Sequence, residues 1–171
     1  KTLNSNMFPT EDIQSAVSVI DTKTGAIAAV GDGRNYGADR GFNFAQDMTT
    51  RSLGSTIKPL IDYGPAIEYL GWSTGQTITD EKITYTGTEQ VVRNFDGKYK
   101  GKMTFREALY NSRNVPAVKT LQEVGTKNAA EFIDRFGIDL GNITESSAIG
   151  GTSKAMSPIQ LAGAYAAFGN S

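Results

Sequence analysis

Hydrophobic and polar positions alternate in SAVSVIDTKTGAIAAVG, where Val17 and Val19, then Ile27 and Ala29, recur at every second residue around a polar centre. A period of two puts each pair on one face of a strand. DTKTG supplies the turn, with Gly25 free to take positive φ, so the stretch predicts a β-hairpin. Residues 31–54 are rich in Gly, Asn and Asp and are predicted to be loop, with a short helix near Phe44 to Met48. From Ser55 the spacing of Ile57, Leu60, Ile61, Ala66, Ile67 and Leu70 changes to the helical period. Pro59 falls in the first turn of that helix, and Gly64-Pro65 is expected to kink it.

Residues 71–103 hold the strand-like pieces KITYTG and EQVVRNF among turns. TFRE is a capping box, with Thr104 as cap and Glu107 reaching back, opening a helix that ends near Asn111. A second helix is predicted from Pro116 to about Val124, and a third over Asn128 to Phe136, stopped by Gly137. Ser157, Pro158 and Gln160 repeat the capping grammar before a final apolar run. A strand pair followed by mainly helical chain predicts an α+β fold. Two strands are a marginal platform, so the sheet is expected to be incomplete within this chain.

The 171 residues are one domain's worth of chain, and 39% hydrophobic with 20% charged residues is a globular composition. A net charge of −1 with interspersed signs gives no basic stripe for nucleic acid. No apolar run approaches the roughly 20 residues needed to span a bilayer, so no membrane contact is expected of this segment. Residues 1–13 read as a linker entering a domain, which implies a larger parent chain. The absence of cysteine excludes disulfides, thiolate catalysis and cysteine-bound zinc within the chain. The absence of histidine excludes a Ser-His-Asp triad and histidine metal sites. A serine nucleophile here would need a lysine, a carboxylate or a ligand to take its proton.

RSLGSTIKPL meets that need on paper, because Ser55 and Lys58 lie three residues apart and share a helix face. The helix N-terminus would favour an oxyanion at Ser55 and lower the Lys58 pKa. The lowering matters: at the reference pKa of about 10.4, a lysine is neutral only about once in 2,500 at pH 7. Alone, the spacing equally describes a helix cap followed by a solvated lysine. YNSRNVPAV adds Ser112 and Asn114, an S-x-N in the break between two helices. A second hydroxyl can relay a proton, and an asparagine amide can hold a lysine and bind a substrate carbonyl. Alone, this too has a plain reading, as a cap for the helix at Pro116 with Ser112-Arg113 as linker.

Together and in this order, the two motifs resemble the penicilloyl-serine transferase family. FNFAQDMTTRSLGSTIKPL, RNFDGKYKGKMTFREALYNSRNVPAV and AIGGTSKAMSPIQLAGAYAAFGN are similar to the transpeptidase domain of class A penicillin-binding proteins. The similarity runs from about Gln14, so residues 14–171 are expected to form a partial transpeptidase domain. The resemblance implies a five-stranded antiparallel sheet flanked by a large helical region. It implies Ser55 as acylated nucleophile, Lys58 as its general base, and Ser112 and Asn114 as proton relay and substrate contact. It implies a D,D-transpeptidase acting on peptidoglycan stem peptides that end in D-Ala-D-Ala, trapped by β-lactams, with no cofactor or metal. It implies a place on the outer face of the bacterial cytoplasmic membrane, through an anchor outside this segment, and a glycosyltransferase domain in the parent. Two alternatives stand beside it. A serine β-lactamase would need a carboxylate to activate the deacylating water, and no convincing one is found; a sensor or scaffold would bind penicillin without turnover.

The family's third motif, K-S/T-G on a strand after S-x-N, is expected to be missing along with the C-terminal strands. Lys23-Thr24-Gly25 has the right residues, but it precedes Ser55 and falls in the hairpin turn, so turn chemistry is expected of it. Phe44 stands where relatives often carry arginine. Asp80-Glu81 is a paired-carboxylate candidate but lies in a turn-rich stretch and is expected to be solvated, and Asp32, Asp39 and Asp47 are too scattered for a metal site. Trp72 is expected either to line the cleft mouth or to pack.

Overall fold

The computed structural model describes residues 8–10, 12–34 and 42–170. They belong to two compact bodies, one of Lys1–Arg51 with Ala155–Ser171 and the other of Ser52–Lys154. Asp39 lies outside the described residues.

In the first body, β1 (Val17–Ile20) and β2 (Ile27–Gly31) form the predicted antiparallel hairpin, with Val17 opposite Gly31 and Val19 opposite Ala29. The Asp21 carboxylate closes the turn by accepting from Lys23 N–H (3.0 Å), Thr24 N–H (2.8 Å) and the Thr24 hydroxyl (2.9 Å). Gly25 follows at φ +71°. Lys23-Thr24-Gly25 is therefore turn, held by an aspartate that satisfies the backbone locally. The last helix of the chain (Pro158–Phe168) runs against β1 and opens on its predicted capping box. Ser157 N–H reaches Gln160 Oε1 (2.9 Å), and Gln160 N–H reaches Ser157 Oγ (3.4 Å). Ser18 and Ile20 are half-buried, whereas Val17 and Val19 each remain 46% exposed.

The short helix predicted near Phe44 to Met48 is instead a turn. Asn43 Oδ1 accepts from Ala45 N–H (2.9 Å) and Gln46 N–H (3.2 Å), and Asp47 accepts from Asn43 N–H (2.8 Å). These short side chains offer the backbone an alternative to the helical ladder. The Phe44 ring meets Phe42 edge-on at 4.9 Å, so an aromatic pair occupies that loop position.

In the second body, the predicted kinked helix from Ser55 to Leu70 has three pitches. A 3₁₀ turn (Gly54–Ile57) leads into a π-helical turn (Pro59–Tyr63) and then α1 (Gly64–Leu70). Pro65 has no N–H to give the carbonyl one turn back, and Gly64 N–H bonds instead to Pro59 O, five residues behind. A Cβ on Gly64 would lie 2.7 Å from that oxygen and 2.9 Å from Phe132 Cε1, so the wide turn and its neighbour both require glycine.

The strands predicted in KITYTG and EQVVRNF reduce to one bridge, Thr84 with Val91. The pairing falls instead to β3 (Thr77–Asp80) and β4 (Gly101–Thr104), antiparallel with Thr77 opposite Thr104. α2 (Phe105–Tyr110) begins on the predicted box: Thr104 N–H to Glu107 Oε2 at 2.7 Å, Glu107 N–H to Thr104 Oγ1 at 3.1 Å. α3 (Asn114–Val124) and α4 (Thr126–Asp134) each begin two residues before the prediction. For α3 the reason is a remote cap: Asn94 Oδ1 accepts from Asn114 N–H (2.8 Å) and Val115 N–H (3.3 Å). The π-helical turn packs on α3 and α4, and its Leu60 and Ile61 share a fully buried core with Val115, Val118 and Leu121 of α3 and Ile133 of α4. Trp72 is half-buried with its ring edge-on to Phe105 at 5.4 Å, a packing role. With two small antiparallel sheets and a helix-rich remainder, the fold is α+β as expected. No described helix is long and apolar enough to cross a membrane.

Candidate active site

Ser55 lies in the 3₁₀ turn and is exposed; among the described residues its Oγ makes no hydrogen bond. One turn on, Lys58 is 0% exposed, among neighbours Ile57, Leu60 and Ile61 that are equally buried. Its Nζ donates to Ser112 O (2.8 Å), Asn114 Oδ1 (2.9 Å), Arg113 O (3.2 Å) and Ser112 Oγ (3.3 Å). The structure thus brings Lys58, Ser112 and Asn114 into direct contact across 54 to 56 residues of chain.

The receiving turn is built for that contact. Ser112 closes α2 at φ +53°, the left-handed region in which no other described non-glycine residue stands. A Cβ there costs on the order of 1 kcal/mol. Bonds from Ser112 N–H to Leu109 O (2.8 Å) and Arg113 N–H to Ala108 O (2.9 Å) hold the conformation. The result is that two successive carbonyls, Ser112 and Arg113, both accept from the lysine. Asn114 turns its carbonyl oxygen to Lys58 and donates from Nδ2 to Arg93 O (2.9 Å), which fixes the amide orientation and leaves a second Nδ2 hydrogen for another acceptor.

Burial pushes the Lys58 pKa down to about 8, and the Arg113 charge pushes the same way. Asp62, one turn further along, would oppose this if it were ionised. Asp62 is itself 0% exposed, and neither carboxylate oxygen has a hydrogen-bond partner among the described residues. Burial therefore holds its pKa well above the usual carboxylate range, despite the nearby lysine. A raised carboxyl pKa means that the folded state keeps a proton the unfolded state gives up, so this contribution to stability falls as pH rises. Asp62→Asn removes the dependence. The variant's advantage in melting temperature over wild type is expected to widen as pH rises from 5 toward 8, for as long as wild-type Asp62 stays protonated. Thermal melts of both proteins across that range are the check; a gap that stays constant would mean Asp62 is ionised and compensated.

The expectation that Asp80 is solvated is overturned. Asp80 is 0% exposed and pairs with Arg113, Nε to Oδ2 at 2.8 Å. Asp80 Oδ1 also accepts from Asn94 Nδ2 (2.7 Å), and Asn94 in turn caps α3 at Asn114. The remaining Arg113 nitrogens reach Asp96 (2.9 Å) and the Lys98 carbonyl. Arg113 is therefore the anchor of the turn and not a linker residue. Glu81 is exposed and pairs with Lys119. Asp80, Asn94 and Arg113 were missed as supports in the sequence; only Asp80 had a signal there, the buried-face alternation of TITD, which reads poorly at four residues. Among the described residues no acidic cluster is arranged to hold a metal, and Asp47 is occupied in its own turn.

Comparison with known proteins gives these features a context. A family model described as the penicillin binding protein transpeptidase domain matches residues 15–171. The chain is 45% identical over 165 residues to penicillin-binding protein 1A/1B of Bacillus subtilis (strain 168), covering 94% of this chain and 18% of that protein. It is 38% identical over 171 residues to penicillin-binding protein 1A of Streptococcus pneumoniae (strain ATCC BAA-255 / R6), covering 95% and 24%. The crystal structure of penicillin-binding protein 1A from Haemophilus influenzae superposes with a TM-score of 0.76 at 30% identity, covering 91% of this chain and 23% of that one. The chain thus spans less than a quarter of the length of each of these relatives. With residues 15–171 inside the family model and its buried lysine joined to an S-x-N turn, this chain belongs to the penicillin-binding protein transpeptidase domain family.

Proposed function

We propose that the protein carrying this chain is a D,D-transpeptidase of peptidoglycan synthesis, working on the outer face of the bacterial cytoplasmic membrane. Ser55 Oγ attacks the carbonyl of the penultimate D-alanine of a stem peptide, forming an ester as the peptide bond to the terminal D-alanine breaks. Lys58 Nζ takes the serine proton in its neutral form. Ser112 Oγ, 3.3 Å from Lys58 Nζ, passes a proton to the departing amine. An amine of a neighbouring stem peptide then attacks the ester and regenerates the serine. The second Nδ2 hydrogen of Asn114 donates to a substrate carbonyl. A β-lactam follows the acylation step and stops there. The observation that carries the reading is the fully buried Lys58 whose Nζ meets both the hydroxyl and the asparagine of the second motif while its pKa is held at about 8.

The test is mass spectrometry of the full-length protein after incubation with a penicillin. A stoichiometric adduct on wild type that is absent from Ser55→Ala is the expected result. An adduct that survives Ser55→Ala removes the nucleophile assignment. Release of the adduct as hydrolysed drug within minutes would point to a β-lactamase, and a stable adduct with no cross-linking of stem peptides would point to a sensor.

A further inference from the structure

The turn that presents Ser55 does not stand on its own hydrogen bonds alone. A 3₁₀ segment, Glu145–Ile149, packs on α3 and on the Gly54–Ile57 turn, and runs directly into Gly150-Gly151. This segment is tightly tied. Thr144 and Ser147 form a capping box, Gly150 N–H bonds to Ser147 O (3.0 Å), Gly151 N–H to Ser146 O (3.0 Å), and Ser147 Oγ to Gly151 O (3.1 Å). Ser147 and Ala148 are 0% exposed. The loop that emerges is a rigid hook and not a mobile link.

The hook meets the nucleophile's turn backbone to backbone. A Cβ on Gly150 would lie 2.6 Å from Gly54 Cα and 2.9 Å from Gly54 O, with Gly54 N inside the same clash. Gly150 also holds φ +100°, which side chains rarely adopt. A second tie crosses the same contact: Ser52 Oγ donates to Gly150 O at 3.2 Å and accepts from Gly54 N–H at 3.3 Å. Gly151 is equally confined but in another direction, since a Cβ there would lie 2.8 Å from Ser146 O, inside the hook itself. Of the two glycines, only Gly150 bears on the residue next to Ser55.

We propose that Gly150 is a positioning residue for acylation: its bare Cα, seated against Gly54, fixes the turn from which Ser55 projects toward the acyl donor. The inference rests on the acyl-transfer reading given above. A buttress of this kind acts on the attack geometry and not on how tightly the donor first binds, and displacing a reacting atom by about 1 Å can cost on the order of 10²-fold in rate.

The experiment measures acylation of the full-length protein by a fluorescent penicillin across drug concentrations, separating the limiting rate from the half-saturating concentration, with melting temperatures alongside. Gly150→Ala is expected to lower the limiting rate by at least about tenfold while the half-saturating concentration moves less than about threefold. Gly151→Ala is expected to lose similar thermal stability and keep the limiting rate within about threefold of wild type. Ser52→Ala, which removes the hydroxyl linking Gly150 O to Gly54 N–H, is expected to lower the limiting rate about threefold or more with little change in melting temperature, and it carries the test should Gly150→Ala fail to fold. Limiting rates that fall with melting temperature equally in both glycine variants, or a wild-type rate in Gly150→Ala or Ser52→Ala, overturn the proposal. A wild-type protein that takes no label at all refutes the acyl-transfer reading instead.

Discussion

Lys58→Ala is expected to slow penicillin acylation of Ser55 by about 10²- to 10⁴-fold, the range that a positioned general base contributes. The sign of the pH dependence follows from its burial. With a pKa of about 8, wild-type Lys58 is mostly charged at pH 7 and gains base character as the pH rises through 8. The wild-type limiting rate should therefore climb between pH 6.5 and 8.5, and the variant should lose that climb. Lys58 also ties together Ser112, Arg113 and Asn114, so some loss of order in the turn is expected. The pH profile separates the two effects. Disorder alone would scale the rate down at every pH and leave the shape unchanged. Stopped-flow labelling across the pH range decides it, and an alanine variant that retains the wild-type climb would remove Lys58 as the base.

Asp80→Ala is expected to have the largest effect on stability, about 3–5 kcal/mol. It leaves the Arg113 guanidinium, with a side chain 5% exposed, without its fully buried partner. The same change frees Asn94 Nδ2 and loosens the cap on Asn114 and Val115, so the S-x-N turn should lose order as well. Asp96 supplies the contrast. Its side chain is 37% exposed where it meets Arg113, and Asp96→Ala should cost far less than Asp80→Ala, as exposed ion pairs do. Denaturant unfolding of the two variants gives the comparison. Combining Asp80→Leu with Arg113→Met removes both buried charges together and should recover most of the stability, since paired removal is often near neutral. If Asp80→Ala costs no more than Asp96→Ala, the buried pair is not the anchor described here.

The legible parts of this fold are those whose causes lie within a few residues. The capping boxes at Thr104 and Ser157 each close over three residues, so their donors and acceptors can be read directly from the letters. The hairpin turn at Asp21 is legible for the same reason, because its carboxylate accepts from the N–H groups of Lys23 and Thr24, two and three residues on. Ser55 with Lys58, and Ser112 with Asn114, were legible as motifs, since each pair has a fixed local spacing. Even local spacing misleads where short polar side chains compete for the backbone, as Asn43 and Asp47 do in the turn that periodicity presents as a helix.

Tertiary structure decided what those residues experience. Nothing near Lys58 in sequence says that its amine is buried; three of the four groups it meets belong to Ser112 and Arg113, and the fourth to Asn114, all on a turn more than fifty residues away. Asp80 reads as solvated from its neighbours and is buried because Arg113, 33 residues on, folds over it. The π-helical turn at Pro59–Tyr63 depends locally on Pro65, but its tightness at Gly64 is set by Phe132 on another helix. Gly150 looks like an ordinary loop glycine until Gly54 is laid against it. The chain's letters specify which bonds a residue can make; burial, charge and the direction of a pKa shift come from whichever distant segment excludes the water, and only the folded chain identifies that segment.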